Sequence, residues 1–368
     1  MAEEILTSSL GEAERTMTIC NACRYCEGLC ATFQAMTLRR AFAEADLDYL
    51  ANLCHNCTAC YHGCQYAPPH HFDMNVPRTL ASLRVDTYQR YAWPGFMARL
   101  FERNGLVVSL AIAASLALTI VLLFALQDPA VLFSRHTGPG AFYAVIAHYV
   151  MISVAGATFG FSVLAVVISC LRFWNSTKPG SKSKLSIGAW ARALRNTATL
   201  KYLGGELGEG CSTEDERWSN RRRYFHQFTM WGFLLCFAST CVATIYHYGF
   251  GIAAPYTLFS LPVLSGSVGG VGLLVGPAGL LWLKTRTDPR PANVSQYGMD
   301  YAFLASLFLI SLTGMLLLAL RETAAMGVLL ATHLGFVLAF FVTLPYSKFV
   351  HAVYRFAALL RFGAEMRR

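Results

Sequence analysis

The chain has 368 residues, of which 55% are hydrophobic and only 14% are charged. Because soluble domains average about 25% charged residues, this composition excludes an ordinary soluble enzyme and indicates a membrane protein. The formal net charge is +9, but the basic residues follow the apolar segments, so no nucleic-acid partner is expected.

Cysteine is concentrated near the N-terminus, where eight of the twelve cysteines fall within residues 20–64. A secreted disulfide domain would explain such a density, but the first residues are acidic and no apolar signal segment precedes Cys20. Thiols in the cytoplasm stay reduced, so clustered cysteines there are expected to bind metal.

These cysteines form two runs with the same spacing. The runs are Cys20, Cys23, Cys26 and Cys30, then Cys54, Cys57, Cys60 and Cys64. In bacterial ferredoxins this spacing wraps three thiolates around one [4Fe–4S] cluster and sends the fourth to the other cluster. The pattern therefore predicts cluster 1 on Cys20, Cys23, Cys26 and Cys64, and cluster 2 on Cys54, Cys57, Cys60 and Cys30. Zinc is the alternative, since C-x2-C pairs also bind zinc.

The segments around the two runs read as helices. Ala41 to Asn52 carries apolar residues at helical spacing, and Pro77 suits the first turn of another helix. Residues 1–92 are therefore predicted to form an α-helical ferredoxin-like domain. Residues 93–368 are predicted to form a membrane bundle of the cytochrome b or nitrate-reductase-gamma type, which makes the fold class all-α.

Six apolar segments follow, each long enough for the ~20 residues that a spanning helix needs. They are residues 105–126, 142–171, 225–248, 256–283, 299–320 and 325–350. The fourth contains Pro262, Pro277 and many glycines, so we expect a broken or kinked helix whose irregular part faces protein.

The loops between these segments alternate in charge. Basic residues concentrate in 172–223, in 284–290 and after residue 354, whereas the opposite loops are nearly bare. The positive-inside rule then predicts a multi-pass protein of the bacterial inner membrane with both termini and the basic loop 172–223 in the cytoplasm. Cys211 follows a glycine-rich run in that loop, which we interpret as a docking loop for a partner.

Histidines at two depths indicate haem, because ionisable residues inside a membrane are functional candidates and bis-histidine b-haem takes one imidazole from each of two helices. His226 and His351 lie near the predicted cytoplasmic side and are the predicted ligands of an inner haem. Arg222, Arg223 and Arg355 lie beside them and would bind the anionic propionates. Histidines that merely sit at the interface are the alternative.

A second, outer haem is left open. His333 is its first candidate ligand, and His148 or His247 its second, since all three lie near the predicted outer side. This interpretation places His333 and His351 on one face of a single sixth helix, about 27 Å apart at 1.5 Å per residue.

Several stretches closely resemble the tricarballylate-utilisation membrane electron-transfer protein family. They are 49–57, 65–70, 75–78, 142–148, the glycine-rich segment before Cys211, and 222–233. The resemblance covers nearly the whole chain and extends to the C-terminal part of a cobalamin-synthesis flavohaem protein. His71 departs from it, since an acidic residue is expected there.

The resemblance implies a partner on the cytoplasmic side, namely an FAD-dependent dehydrogenase that oxidises tricarballylate. The chain would reoxidise that flavin and pass electrons through two [4Fe–4S] clusters and one or two b-type haems towards quinone. It has no segment like a flavin domain, so no substrate-oxidising site of its own is expected. The alternatives are a subunit of another flavin or molybdenum oxidoreductase, and a membrane redox sensor.

Overall fold

The computed structural model describes residues 9–178, 185–204, 210–212 and 217–366. Within these ranges the regular structure is helical, and the one strand-like pairing is the bridge between Cys211 and Ser219. The predicted all-α fold class is confirmed. Residues 205–209 of the glycine-rich run and the two terminal arginines lie outside the described residues, as do the first eight residues of the predicted cluster domain.

The cysteine-rich part of the chain is built from short helices. They are α1 (Ser9–Cys23), α2 (Ala31–Thr37), α3 (Glu44–Leu53), α4 (Ala59–His62) and α5 (Val76–Tyr91). The predicted helices over 41–52 and from Pro77 correspond to α3 and α5. Asn75 fixes the start of α5, because its side chain accepts a hydrogen bond from the Arg78 amide. The apolar faces pack around fully buried side chains such as Met17, Leu50 and Leu80.

The rest of the chain contains the long helices and a few short ones between them. In chain order these elements are α6 (Asn104–Leu126), α7 (Pro129–Leu132), α8 (Ala141–Val145), α9 (His148–Thr177), α10 (Ile187–Ala198), α11 (Arg221–Phe250), α12 (Leu261–Lys284), α13 (Tyr297–Leu320), α14 (Met326–Thr343) and α15 (Val350–Glu365). Six of them, α6, α9, α11, α12, α13 and α14, are long and apolar enough to cross a membrane. The chain is thus a multi-pass membrane protein.

The predicted sixth span is wrong at its C-terminal end. Helix α14 stops at Thr343, residues 344–346 form one 3₁₀ turn, and α15 begins at Val350. Pro345 has no backbone N–H to continue the α-helical ladder, which explains the break. His333 and His351 therefore lie on different helices, and their predicted position on one continuous face is wrong.

The second span is also shifted relative to its predicted bounds. Residues 141–145 form the separate helix α8, and α9 continues six residues beyond the predicted end at 171. The extension is held by the cluster domain: the Tyr91 hydroxyl donates to Ser176 Oγ at 2.9 Å, and Arg172 donates to the Ala92 carbonyl at 2.9 Å. Hydropathy alone could not place that end.

The fourth span is unbroken, contrary to the expectation of a broken segment. Helix α12 continues through Pro277. Its glycines instead allow α11 to approach closely. A Cβ on Gly272 would lie 3.0 Å from the Phe228 carbonyl oxygen and 3.1 Å from the Gly232 Cα. Small residues at such contacts are typical of helix packing in membranes.

Helix α15 joins the two parts of the molecule. Arg361 on α15 donates to Asp46 on α3 at 2.7 Å, and Arg39 donates to Glu365 at 2.8 Å. Tyr354 stacks on Phe173 of α9 with ring centres 4.8 Å apart. The cluster domain thus packs on one end of the membrane helices, which we call the cluster side; it contains the end of α9, the start of α11 and all of α15.

Candidate metal centres

The first cysteine run lies where α1 ends and α2 begins. Cys20 and Cys23 occupy the last turn of α1, Cys26 lies in the following loop, and Cys30 directly precedes α2. Arg24 adopts a left-handed conformation with φ of 55°. The backbone therefore turns sharply within this run, which places consecutive thiols around one space rather than along a line.

The second run follows the same plan. Cys54 directly follows α3, Cys60 lies in α4, and Cys64 lies just beyond α4. Asn56 and Thr58 have φ values of 55° and 64°. Two left-handed residues in three positions bend this loop tightly around its thiols.

One cavity collects the cysteines assigned to cluster 2. Cys30 of the first run lines it together with Cys54, Cys57 and Cys60 of the second. Burial, and after it the neighbouring Cys54 thiol, raises the pKa of Cys30 to about 11. This arrangement fits the crossed ligand set, because the fourth cysteine of one run has joined the first three of the other.

The cysteines assigned to cluster 1 are also neighbours. Burial, followed by the proximity of Cys26 and then Cys64, raises the pKa of Cys20 to about 12. Burial and Cys64 likewise raise the pKa of Cys26 to about 12. Such thiols are protonated without metal, so binding iron must release protons. Cys23 is exposed, so this group of cysteines reaches the protein surface.

Among the described residues, the cysteines do not form a ready-made site for a single ion. In the described part of the chain, no three His, Cys, Asp or Glu side chains are grouped to hold one metal ion. A zinc site needs four ligands around one ion, whereas each iron of a cubane takes one cysteine. All eight thiols are free of disulfide bonds. The cluster assignments themselves stay predictions.

Three arginines hold the loop that contains Cys54; we call Arg84, Arg222 and Arg355 the arginine clamp. Arg84 and Arg355 donate to the Cys54 carbonyl at 2.6 and 2.8 Å. Arg222 donates to the Asn56 carbonyl at 2.6 Å. The partners are neutral carbonyls, so positive charge accumulates here, and burial followed by the charge of Arg84 lowers the pKa of Arg355 to about 9. An anionic cluster would compensate that charge.

The loop before α11 covers the cysteines assigned to cluster 2 on the side of the membrane domain. Cys211 is fully buried, and burial followed by the proximity of Cys211 raises the pKa of Cys57 well above its usual value. The Ser212 amide donates to the Cys57 carbonyl at 3.1 Å, and the Thr58 hydroxyl donates to the Ser212 carbonyl at 2.6 Å. Sequence reasoning interpreted Cys211 as part of a docking loop for a partner and did not place it beside Cys57, because Cys211 has no spacing relationship to the two runs.

His226 and His351 meet on the cluster side. Their ring centres are 6.1 Å apart, and the ring planes are inclined by 75°. A metal ion binds a histidine nitrogen at about 2 Å, so an iron midway between two facing imidazoles would separate the ring centres by roughly 6 Å. The residues therefore fit a bis-histidine haem site, although they come from α11 and α15 and not from two spanning helices.

The protonation of His351 also suits a ligand. Its Nδ1 hydrogen-bonds the Lys348 carbonyl; a carbonyl can only accept, so Nδ1 carries the proton and Nε2 is left with a lone pair. Burial, and then the charge of Arg355, holds the pKa of His351 well below its ordinary value, which keeps the ring neutral. The His226 Nδ1 is buried without a hydrogen-bond partner among the described residues.

The outer histidines are arranged differently from the inner pair. His148 and His247 contact each other directly, with ring centres 4.2 Å apart and the Tyr143 hydroxyl 3.4 Å from the Nδ1 of His247. His333 instead lies 3.1 Å from the Thr313 hydroxyl on α13. Among the described residues, no ring contact joins His333 to His148 or His247. The outer haem stays a prediction, because these three histidines include no pair with ring centres about 6 Å apart like His226 and His351.

The arginines predicted to bind propionates have other partners. Arg222 and Arg355 belong to the arginine clamp, and Arg223 donates to the Thr199 carbonyl at 2.9 Å. A partly buried ion-pair network near His351 was not anticipated: Lys284 and Lys348 lie 2.6 and 2.9 Å from the Asp300 carboxylate. No sequence spacing connects these residues, so only the fold could reveal the network.

Comparison with known proteins gives a consistent family. The family model described as Citrate utilization protein B matches residues 99–368, and the model described as Citrate utilization protein B Fer4-like domain matches residues 13–90. The Citrate utilization protein B of Escherichia coli is 47% identical over 365 residues, which cover 99% of this chain and 95% of the relative. No solved structure matches. The resemblance stated from the sequence is confirmed, as is a Fer4-like N-terminal domain.

Proposed function

Because the chain belongs to the citrate utilization protein B family, we propose that it carries electrons from a separate dehydrogenase into the membrane. The donor is an FAD-dependent dehydrogenase of the tricarballylate type, and the acceptor is membrane quinone. Cys20, Cys23, Cys26 and Cys64 hold cluster 1; Cys30, Cys54, Cys57 and Cys60 hold cluster 2; His226 and His351 hold b-type haem. When bound, these groups supply one-electron redox centres.

The observation that carries the proposal is a double connection between the histidine pair and the loop of Cys54. Arg222 precedes His226 by four residues, and Arg355 follows His351 by four residues. Residues four apart lie on the same helix face, about one turn or 5.4 Å from each other. Both arginines also bond backbone carbonyls of residues 52–56. Each histidine is therefore linked to the loop of Cys54 through one arginine side chain on its own helix.

Exposure supports a direction for the relay. Cys23 is exposed, whereas Cys54 is buried with 8% of its surface accessible. Tyr25, beside Cys23, is 74% exposed. A soluble donor can therefore approach the cluster 1 cysteines, while those of cluster 2 face the membrane domain.

Charge supports the same direction. The arginine clamp surrounds the cluster 2 loop with positive charge, which favours the more negative, reduced form of a metal centre. Beside Cys23, by contrast, Arg24 is exposed to solvent, which screens its charge. We expect cluster 2 to have the higher potential, so that electrons move towards the membrane.

The test uses the purified full-length protein. Iron and haem are quantified, and tricarballylate is supplied with and without an FAD-dependent dehydrogenase whose flavin is initially oxidised. We expect eight cluster irons per chain, from two four-iron sites, and reduction of the haem only when the flavoprotein is added. Tricarballylate oxidation by this chain alone, or a preparation with zinc in place of iron, would overturn the proposal.

A further inference from the structure

Helix α10 has three distinct faces. It lies between two spans, after the end of α9 at Thr177 and before the start of α11 at Arg221. Its position in the chain therefore places it on the cluster side, beside the ends of spanning helices. At twelve residues, Ile187–Ala198, it is too short to cross a membrane.

The first face packs on α15. Ala189 and Ala193 are buried, and a Cβ on Gly363 would lie 3.1 Å from the Ala189 carbonyl oxygen. Arg192 extends over the contact and donates to the Gly363 carbonyl at 2.6 Å. Small residues thus bring α10 against the helix that also carries His351.

The second face is apolar and exposed, although Trp190 also lies against Phe356 of α15 with ring centres 5.9 Å apart. Ile187, Trp190 and Leu194 recur at intervals of three and four, which places them on one side of the helix. They are 90%, 44% and 56% exposed. Large apolar side chains in a continuous exposed stripe indicate an interaction surface.

The third face is basic and borders the apolar stripe. Arg192 and Arg195 are both exposed and three residues apart, so they lie together beside the stripe rather than within it. An apolar stripe next to a basic stripe is the arrangement of helices that lie in the membrane–water interface, with apolar residues among acyl chains and cations among headgroups.

We propose that α10 is an interfacial helix that binds the anionic lipid surface on the cluster side. Three observations select lipid over a protein partner: the helix connects two spans, its open face is apolar, and the adjoining face is cationic and matches anionic headgroups. Ile187, Trp190 and Leu194 enter the acyl region, and Arg195 remains at the headgroups. Through Ala189 and Ala193 the same helix holds α15 in place.

The first experiment measures the depth of Trp190. The full-length protein is placed in nanodiscs of anionic phospholipid that carries bromine near the headgroup end of the acyl chains. Bromine quenches tryptophan at short range, so the quenched fraction of wild-type fluorescence should fall in Trp190→Phe. Trp218→Phe removes a tryptophan that is 40% exposed but lies outside α10, and it should leave the quenched component unchanged. Equal quenching in wild type and Trp190→Phe would overturn the proposal.

The second experiment tests the charge. In Arg195→Gln, quenching of Trp190 should require a higher fraction of anionic lipid than in wild type, because surface attraction adds with each basic residue. Iron content, measured in parallel, shows that the variant is folded. Quenching that is equal in zwitterionic and anionic nanodiscs would overturn the anionic preference, and protection of Trp190 only after addition of a partner protein would assign the surface to that protein.

Discussion

The side chain of Arg355 donates a 2.8 Å hydrogen bond to the backbone carbonyl of Cys54. Helix α15 is thereby connected directly to the cysteine loop assigned to cluster 2. His351 lies in the first turn of the same helix, one turn before Arg355. The Arg355 guanidinium therefore links the helix of His351 to the loop of Cys54.

Substitution Arg355→Gln should lower the potential of cluster 2. Removing a nearby positive charge disfavours the reduced cluster, and we expect a decrease on the order of 50–100 mV. Redox titration followed by electron paramagnetic resonance measures it. Arg321→Gln is the matched control, since Arg321 bonds the Tyr256 carbonyl at the opposite end of the membrane helices. An unchanged cluster 2 potential would show that the clamp does not set it.

Substitution of the crossing cysteines should affect the opposite runs. Cys30→Ser should disturb the signal of the cluster held mainly by the second run, because Cys30 lies in the cavity of Cys54, Cys57 and Cys60. Cys64→Ser should disturb the other cluster. Cys241→Ser, an exposed thiol within α11, should leave both signals intact.

The crossed assignment would be contradicted by a simple pattern. If Cys30→Ser altered only the cluster of Cys20, Cys23 and Cys26, each run would hold its own cluster. Iron analysis accompanies the spectra, so that loss of a whole cluster can be distinguished from a change of ligand.

The sequence predicts cluster ligands and a Fer4-like domain from cysteine spacing alone, and the Fer4-like domain is confirmed. Each run has the same three spacings between its cysteines, which are typical of a short loop that wraps a cubane. That geometry needs no information from distant parts of the chain. Hydropathy likewise found the six candidate spans of the described residues, since each must cross the same thickness of lipid.

The sequence could not predict contacts between distant segments. Arg84, Arg222 and Arg355 come from three helices, and nothing in their spacing relates them to Cys54. The position of His351 was misassigned because a run of apolar residues continues through Pro345, so hydropathy joined α14 to α15 across a break that proline imposes on the backbone.

His226→Ala and His351→Ala should each remove the same b-type haem. Their rings are 6.1 Å apart, and one missing imidazole leaves the iron without one axial ligand. Haem content and reduced-minus-oxidised spectra measure the loss. His136→Ala is the control, since His136 lies in the loop after α7 and bonds the Val131 carbonyl of that helix. Wild-type spectra in both ligand variants would return the haem assignment to His148, His247 and His333.

Cys211→Ala should keep all cluster iron but change cluster 2. Cys211 is fully buried beside Cys57 and donates to the Leu203 carbonyl at 3.0 Å. Removing the sulfur leaves a cavity beside Cys57, through which oxygen can reach the cluster. We therefore expect faster loss of that cluster in air and an altered spectrum. Ser212→Ala is the comparison, because its contacts to Cys57 and Thr58 use only the backbone. A loss of about four irons at once would instead identify Cys211 as a ligand.

Asp46→Asn should loosen the cluster domain from α15. Burial alone would raise the pKa of Asp46, but its hydrogen bonds to Arg39 and Arg361 outweigh burial and hold it below the ordinary value. A lowered carboxylate pKa stabilises the fold above the unfolded pKa of about 3.9, and that stability disappears as pH falls through the folded value. The free energy of unfolding of the wild type should therefore exceed that of the variant by about 1–3 kcal/mol at neutral pH.

The pH profile separates this ion pair from a general packing effect. The difference in unfolding temperature between wild type and Asp46→Asn should be constant from about pH 8 to 5 and should shrink only below about pH 4, where the wild-type carboxylate protonates. Glu102→Gln, which changes an exposed carboxylate, should match wild type throughout. Protease sensitivity of the α15 C-terminus provides a second readout, because Arg361 bonds Asp46 and Glu365 together. If the difference in unfolding temperature vanished between pH 7 and 5, the prediction would be wrong. The interface would then depend on a group with a higher pKa than Asp46.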